Sequence, residues 1–162
     1  MLRDPKYFYR RNLPHVQKDD RAHFVTFITR DRWVLPKRAR DIVLRSCVHL
    51  DGQRMQLHAA VVMPDHVHLI FTPLRKADTS TFRFAEILSA IKGYSAHAVN
   101  KALARKGSVW LDESFDHVLR SEEKLDEKVE YLRQNPVRRG LVREPADYRW
   151  LWVEGESARP VE

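Results

Sequence analysis

Cysteine is nearly absent from this chain of 162 residues, and so are long apolar runs. The single cysteine, Cys47, cannot form an internal disulfide, and one thiolate cannot build a cysteine-based zinc site. No segment approaches the roughly 20 apolar residues of a membrane-spanning helix, and the N-terminal residues lack the apolar stretch of a secretory signal. We therefore expect a cytoplasmic protein without membrane contact, in which any metal ion is bound by histidine, carboxylate or amide side chains.

Basic residues, by contrast, are plentiful. The chain carries 29 Lys and Arg against 22 Asp and Glu, a formal net charge of +7, and the basic residues recur along its whole length. This balance favours a polyanionic partner such as nucleic acid over an acidic small molecule. The length suits one domain with its own hydrophobic core, and we predict a single domain over residues 1–162 with its core at about 22–152.

Four segments have the composition of β-strands. Residues 22–29 are rich in β-branched and aromatic side chains, and residues 107–121 form a second extended segment. Residues 56–63 and 66–74 are two further strand-like runs, separated only by Pro64-Asp65. A link this short predicts an antiparallel hairpin.

Helical spacing of apolar residues separates these strands. It predicts a first helix that begins near Pro36, a second over residues 82–105, and a third with Ser121 as its N-cap. We expect Pro136 to end the third helix, because proline disfavours the helical conformation of the residue before it. The order strand, helix, strand, strand, helix, strand predicts an α+β fold, ferredoxin-like (RRM-like), with an antiparallel sheet and helices packed on one face.

Two histidines stand out in the apolar run "VVMPDHVHLIFTPL". Side chains alternate in a strand, so Val67, Leu69 and Phe71 should face the helices while His66 and His68 share the other face. Two imidazoles side by side are the geometry that two ligands of one divalent cation require. The alternative is a pair of ordinary polar residues on a half-exposed sheet.

A second pair of polar residues lies on the third helix. Tyr131 and Asn135 are one turn apart on the flank of its apolar stripe. If that flank lies over the histidines, Asn135 could complete a metal site and the phenolate of Tyr131 could act as a nucleophile. Alternatively, Tyr131 is half-buried packing and Asn135 a helix terminus. Asp65 is interpreted as a turn residue rather than a partner of a histidine.

The motifs together resemble a known family. The segments "MPDHVHLIF", "KGYSAHAVNKALARKGSVW", "ESFDHVLRSEEKLDEKVEYLRQNPVRRGLV" and "YRWLW" resemble the single-tyrosine HUH transposases of the insertion-sequence 200/605 group (IS200-like). Within that group the chain is most similar to the REP-associated tyrosine transposases. The resemblance extends from about Ala22 to Trp152, with the motifs in the expected order and spacing.

This resemblance implies a role for each candidate residue. His66 and His68 would be metal ligands, Asn135 the third ligand, and Tyr131 the nucleophile that forms a 5′-phosphotyrosine. The implied metal is Mg²⁺ or Mn²⁺, the implied substrate is single-stranded or hairpin DNA, and the implied fold is ferredoxin-like.

Other residues are candidate DNA contacts, although any one of them could be an ordinary solvated side chain. They are Lys92, Tyr94, Lys101, Arg105, Lys106, Arg138, Arg139 and Arg143. Tyr94 is also an alternative nucleophile, without an amide one turn later.

Three functions remain open from the sequence. The first is a metal-dependent DNA transesterase. The second is a non-catalytic nucleic-acid-binding module, disfavoured because histidines occupy the face that RNA-recognition domains use and no RNP-like pattern is present. The third is a metal-dependent phosphodiesterase that uses water, for which Tyr131 would be dispensable. The chain could act as a homodimer or a monomer.

Overall fold

A computed structural model describes residues 8–9 and 21–156 and contains an antiparallel sheet. The order of its strands is β1-β5-β2-β4-β3-β6. The strands are β1 Phe8–Tyr9, β2 Ala22–Thr29, β3 Met55–Val62, β4 His66–Pro73, β5 Trp110–Leu119 and β6 Leu151–Val153. The predicted domain also includes residues outside the described ranges, so its extent over 1–162 stays a prediction.

Three α-helices connect the strands: α1 Lys37–His49, α2 Phe84–Ala102 and α3 Glu122–Arg138. The four central strands follow the order β5-β2-β4-β3, with α1 joining β2 to β3 and α2 joining β4 to β5. This is the ferredoxin-like arrangement, so the predicted α+β class is confirmed. Within the described part of the chain, no helix has the length and apolar character needed to cross a membrane.

α1 and α2 cover one face of the sheet, which we call the helix face. Val67, Leu69 and Phe71 of β4 point into it and are fully buried, as predicted. The ring of Phe71 stacks on that of Phe84 in α2, with centroids 5.5 Å apart. Burial of these side chains removes apolar surface from water and supplies much of the stabilisation of the fold.

α3 lies across part of the opposite face, which we call the histidine face. There the ring of Phe24 in β2 lies 5.4 Å from that of His68 and 6.2 Å from that of Tyr131 in α3. The metal-site hypothesis required this placement of the third helix.

The helix α3 begins as predicted but ends later. The hydroxyl of Ser121 accepts a hydrogen bond from the backbone N–H of Lys124, the expected N-cap. The prediction that Pro136 ends the helix is wrong, because α3 continues to Arg138. Asn135 and Pro136 are buried, so packing against the sheet outweighs the loss of one backbone hydrogen bond at proline.

The β3–β4 hairpin and the loop after β2 meet at the start of β4. In the hairpin, the N–H of Met63 donates to the carbonyl of His66 at 2.8 Å, which confirms the predicted turn. The loop after β2 is attached to this turn by two backbone bonds, Thr29 N–H to Asp65 carbonyl at 3.0 Å and Leu35 N–H to Pro64 carbonyl at 2.7 Å. Residues 30–34 therefore lie beside the first histidine.

Candidate active site

The two histidines lie side by side, with their rings fixed by neighbours. Their centroids are 4.8 Å apart. Nδ1 of His66 lies 2.7 Å from Oδ1 of Asp65, and Nδ1 of His68 lies 2.7 Å from Oγ1 of Thr26 on the adjacent strand. Since Nδ1 of each ring is engaged, Nε2 is the nitrogen left for a ligand, the usual division of roles in metal-binding histidines.

Asp65 was interpreted only as a turn residue, and that interpretation was incomplete. It does occupy the hairpin turn, but its carboxylate also contacts His66. A carboxylate behind an imidazole fixes the tautomer and the orientation of the ring and makes it a better electron donor.

The electrostatic surroundings keep both imidazoles neutral. Burial lowers the pKa of His66, although the Asp65 carboxylate opposes this shift. Burial lowers the pKa of His68 well below its usual value, and the positive charges of Arg139 and Arg138 add to the effect. A neutral imidazole has the free electron pair that a metal ion requires.

One face of α3 supplies the remaining candidates. Tyr131, Asn135 and Arg139 follow one another at intervals of four residues, so they share a face of the helix. Tyr131 meets Phe24, and the charge of Arg139 acts on both histidines, so Asn135 lies between two residues close to the histidine pair.

Asn135 is 5% exposed, and its Nδ2 is buried without an acceptor among the described residues. An unpaired buried amide N–H is costly, and a half-turn of the amide would put its oxygen, an atom that can bind a metal ion, in the place of Nδ2. The described residues also contain no cluster of three His, Cys, Asp or Glu side chains that could hold a metal ion. Asn135 is therefore a candidate third ligand beside His66 and His68.

Cationic side chains surround the candidate nucleophile. The guanidinium carbon of Arg138 lies 4.1 Å from the ring centre of Tyr131, and Nη2 of Arg138 donates to the Tyr131 carbonyl at 2.7 Å. Nζ of Lys128 lies 5.2 Å from the same ring centre. Tyr131 itself is 36% exposed, so a large substrate can reach it from solvent.

Three further residues of this site are not among the candidates that the sequence motifs indicate. Lys128 lies one turn before Tyr131, and helical spacing could have identified it. Thr26 reaches His68 across the β2–β4 pairing, and Arg32 reaches Asp65 with 3.4 Å between Nη1 and Oδ2. No signal in the sequence predicts these two contacts, because they depend on strand register and loop conformation.

Two of the candidate DNA contacts lie away from the histidines. Nζ of Lys92 donates to the Leu111 carbonyl at 2.7 Å and contacts Oγ of Ser114 at 3.2 Å, so it connects α2 to β5. Tyr94 is 53% exposed on α2, which covers the helix face. The sheet therefore separates both residues from the histidine pair, and neither joins the candidate active site.

The other candidate contacts divide into two groups. Arg138 and Arg139 lie at the site itself, whereas Arg143 is exposed beyond the end of α3. In the second group, Arg105 stacks on Trp33 in the loop after β2. Lys101 and Lys106 are exposed near it at the end of α2.

Comparison with known proteins decides the family. The family described as "Transposase IS200 like" matches residues 17–135. The chain belongs to this family. The family indicated by the motifs is confirmed.

Within the IS200-like family, this chain is similar to two REP-associated tyrosine transposases. The REP-associated tyrosine transposase of Escherichia coli (strain K12) is 27% identical over 104 residues, which are 64% of this chain and 58% of the relative. The aligned part thus spans less than two thirds of that relative. A solved structure of a REP-associated tyrosine transposase bound to a REP hairpin has a TM-score of 0.66 at 23% identity, covering 88% of this chain and 80% of the other. The predicted likeness to REP-associated tyrosine transposases is confirmed, and the structural match supports the fold.

Proposed function

We propose that this IS200-like protein cleaves and rejoins single-stranded DNA, with Tyr131 as the nucleophile. One observation carries the proposal: the ring of Phe24 lies 6.2 Å from that of Tyr131 and 5.4 Å from that of His68, so the half-exposed phenol and the histidine pair lie near the same side chain. A solvent-exposed nucleophile with cationic groups around it, near a buried pair of potential metal ligands, suits a phosphodiester substrate.

The proposed metal is Mg²⁺ or Mn²⁺, held by Nε2 of His66, Nε2 of His68 and the amide oxygen of Asn135. When bound, such an ion neutralises part of the charge on a phosphate and orients it for in-line attack. Three uncharged ligands leave the ion its full positive charge. The protein contributes the orientation of the rings through Thr26 and Asp65.

In the cleavage step, the phenolate oxygen of Tyr131 attacks the phosphorus of the scissile phosphodiester. The bond between phosphorus and the 3′ oxygen breaks, and a 5′-phosphotyrosine forms. The phenol proton leaves to solvent, and the departing 3′ oxygen takes up a proton to become a 3′-hydroxyl. Arg138 and Lys128 lie 4.1 and 5.2 Å from the ring centre of Tyr131, where their positive charges attract the phosphate of the substrate.

Rejoining is the reverse attack by a 3′-hydroxyl on the phosphotyrosine. The covalent intermediate keeps the energy of the broken phosphodiester, so strand transfer requires no ATP. This property distinguishes the proposed transesterase from a phosphodiesterase that uses water.

Hairpin DNA with unpaired flanks is the proposed substrate. The net charge of +7 favours DNA, and a relative of similar fold has been solved with a REP hairpin. Whether the working unit is a homodimer or a monomer stays a prediction to be tested by its mass in solution.

The test uses single-stranded hairpin DNA from the repeats that flank the gene, labelled at either end and incubated with Mn²⁺ or EDTA. Denaturing gels should show a metal-dependent protein–DNA adduct that retains the 3′ label, and a released 5′-labelled fragment. Tyr131→Phe should abolish both products, with activity at least about 10⁴-fold lower. Tyr94→Phe is the matched control, since Tyr94 is exposed on the other side of the sheet, and it should keep full activity.

Each alternative function has its own outcome in this assay. Cleavage by Tyr131→Phe without an adduct would identify water as the nucleophile and refute the transesterase. Tight binding without cleavage, under conditions where a related enzyme cuts its own hairpin, would favour a binding module.

A further inference from the structure

The loop between β2 and α1 carries side chains that the proposed chemistry does not use. Arg32 is exposed by 63% of its side chain, and Val34 is 60% exposed. Trp33 lies between them, partly buried against the core. Three consecutive residues thus present a guanidinium, an indole and an exposed aliphatic side chain. The stability of the fold does not require such a surface.

The backbone of this loop is held in an unfavourable conformation. Asp31 and Arg32 have φ angles of 55° and 54°, in the left-handed region that residues with a Cβ rarely adopt. Residues held this way cost stability and cluster at functional sites. Here the conformation places the guanidinium of Arg32 beside Asp65, the partner of His66.

The end of α2 brings a second arginine to the same surface. The guanidinium carbon of Arg105 lies 4.0 Å from the ring centre of Trp33. Nη1 of Arg105 also donates to Oδ1 of Asn100 at 2.8 Å, which fixes its position. A guanidinium held against an indole offers a flat cationic surface on which a nucleobase can stack and beside which a phosphate can bind.

We propose that Arg32, Trp33 and Arg105 form a binding strip for unpaired nucleotides of the DNA strand that continues from the candidate active site. The inference rests on the proposed function only for its substrate class, single-stranded DNA. The strip is continuous with the site through Asp65, and its charge is complementary to phosphate. Arg32 binds one backbone phosphate, and the Trp33–Arg105 pair stacks on a base while the guanidinium of Arg105 contacts a second phosphate.

Binding is measured without catalysis, by fluorescence anisotropy in EDTA with the Tyr131→Phe protein. The probe is a dye-labelled single-stranded oligonucleotide of mixed sequence, with the corresponding duplex for comparison. Trp33→Leu should weaken binding of the single strand about ten-fold, a typical loss for one stacked base. Arg32→Gln and Arg105→Gln should each reduce the slope of log affinity against log salt by about 0.7, the loss of one phosphate contact.

The matched control is Arg75→Gln, which removes the same charge from an exposed position beyond the other end of β4. It should change affinity less than two-fold. Thermal unfolding of every variant checks the fold. Arg32→Gln keeps the test informative if Trp33→Leu unfolds, since Arg32 is mostly solvent-exposed.

A series of oligonucleotides with one abasic position separates stacking from charge. An abasic nucleotide at the position bound by the strip should lower the affinity of the protein that retains Trp33. It should leave the affinity of Trp33→Leu unchanged. The inference is overturned if the strip variants bind as Arg75→Gln does, or if the protein with an intact strip does not bind single strands. Failure of DNA cleavage would refute the proposed function alone, because this assay needs neither metal nor Tyr131.

Discussion

The two faces of the sheet differ in composition and in coverage, although the same strands build both. On the helix face, Val67, Leu69 and Phe71 are fully buried, and Nδ1 of the buried His23 lies 3.1 Å from Oδ1 of Asp116, whereas its Nε2 has no partner among the described residues. The histidine face is covered in part by α3, and Phe24 lies half-buried beside the imidazoles. Alternation along β4 thus assigns packing to one face and the candidate chemistry to the other.

This division has a physical reason. A metal site needs fixed but reachable polar groups, and polar groups buried in an apolar layer are costly unless each is paired. The helix face tolerates few such groups because α1 and α2 cover it and its side chains are buried between the helices and the sheet. On the histidine face, cross-strand partners such as Thr26 fix the imidazoles, and the exposed Tyr131 of α3 is reachable from solvent.

The largest stability effect should come from the helix face. Phe71→Ala removes a fully buried ring that stacks on Phe84 and should lower the free energy of unfolding by about 3–5 kcal/mol. Urea denaturation measures this loss. Tyr131→Phe on the other face is the comparison, and it should change stability by less than about 0.5 kcal/mol. Equal losses in the two variants would contradict the division between faces.

An intermediate effect, on metal affinity rather than stability, should come from the partners of the histidines. Thr26→Val and Asp65→Asn remove the groups at Nδ1 of His68 and His66, so each should weaken Mn²⁺ binding about 10- to 100-fold. Isothermal titration calorimetry measures the affinity.

Thr72→Val is the control for these variants, because Thr72 makes the same kind of contact to a histidine outside the site, 2.8 Å from Nε2 of His58. Its Mn²⁺ affinity should be unchanged. If Thr72→Val lost as much Mn²⁺ affinity as Thr26→Val, the effect of Thr26→Val would come from a general disturbance of the sheet and not from its contact with His68.

The smallest effect is expected at Cys47, which packs on the helix face and should not react with a thiol reagent in the native protein. Cys47 is fully buried, and burial raises the pKa of its thiol to about 12. The thiolate is the reactive form, so a disulfide reagent near neutral pH should not modify the native protein and should modify it fully in denaturant. Rapid modification of the native protein would show that this face opens to solvent.

Much of this arrangement follows from local sequence. The alternation of side chains in β4 predicts that His66 and His68 share one face of the sheet. Helical spacing predicts that Tyr131 and Asn135 share a flank of α3. The apolar run and the short "PD" link predict the hairpin. These features depend on residues close together in the chain, so periodicity captures them.

Other features depend on tertiary structure and could not be predicted from the sequence. Thr26 meets His68 only because the β2–β4 register places them opposite each other. Lys92 is on a basic helix, yet its ammonium group binds the backbone of β5. Pro136 breaks a local rule because burial of its surroundings compensates for the missing hydrogen bond.

The distance along the chain between the parts of the site has one more consequence. His68 belongs to β4 and Tyr131 to α3, and the whole of α2 and β5 lies between them. During synthesis the histidine pair can therefore exist before the helix that carries the phenol has emerged and docked. Under the proposed function, a chain in which α3 has not yet docked would hold the histidine pair without the phenol of Tyr131, and so would lack the nucleophile at that site.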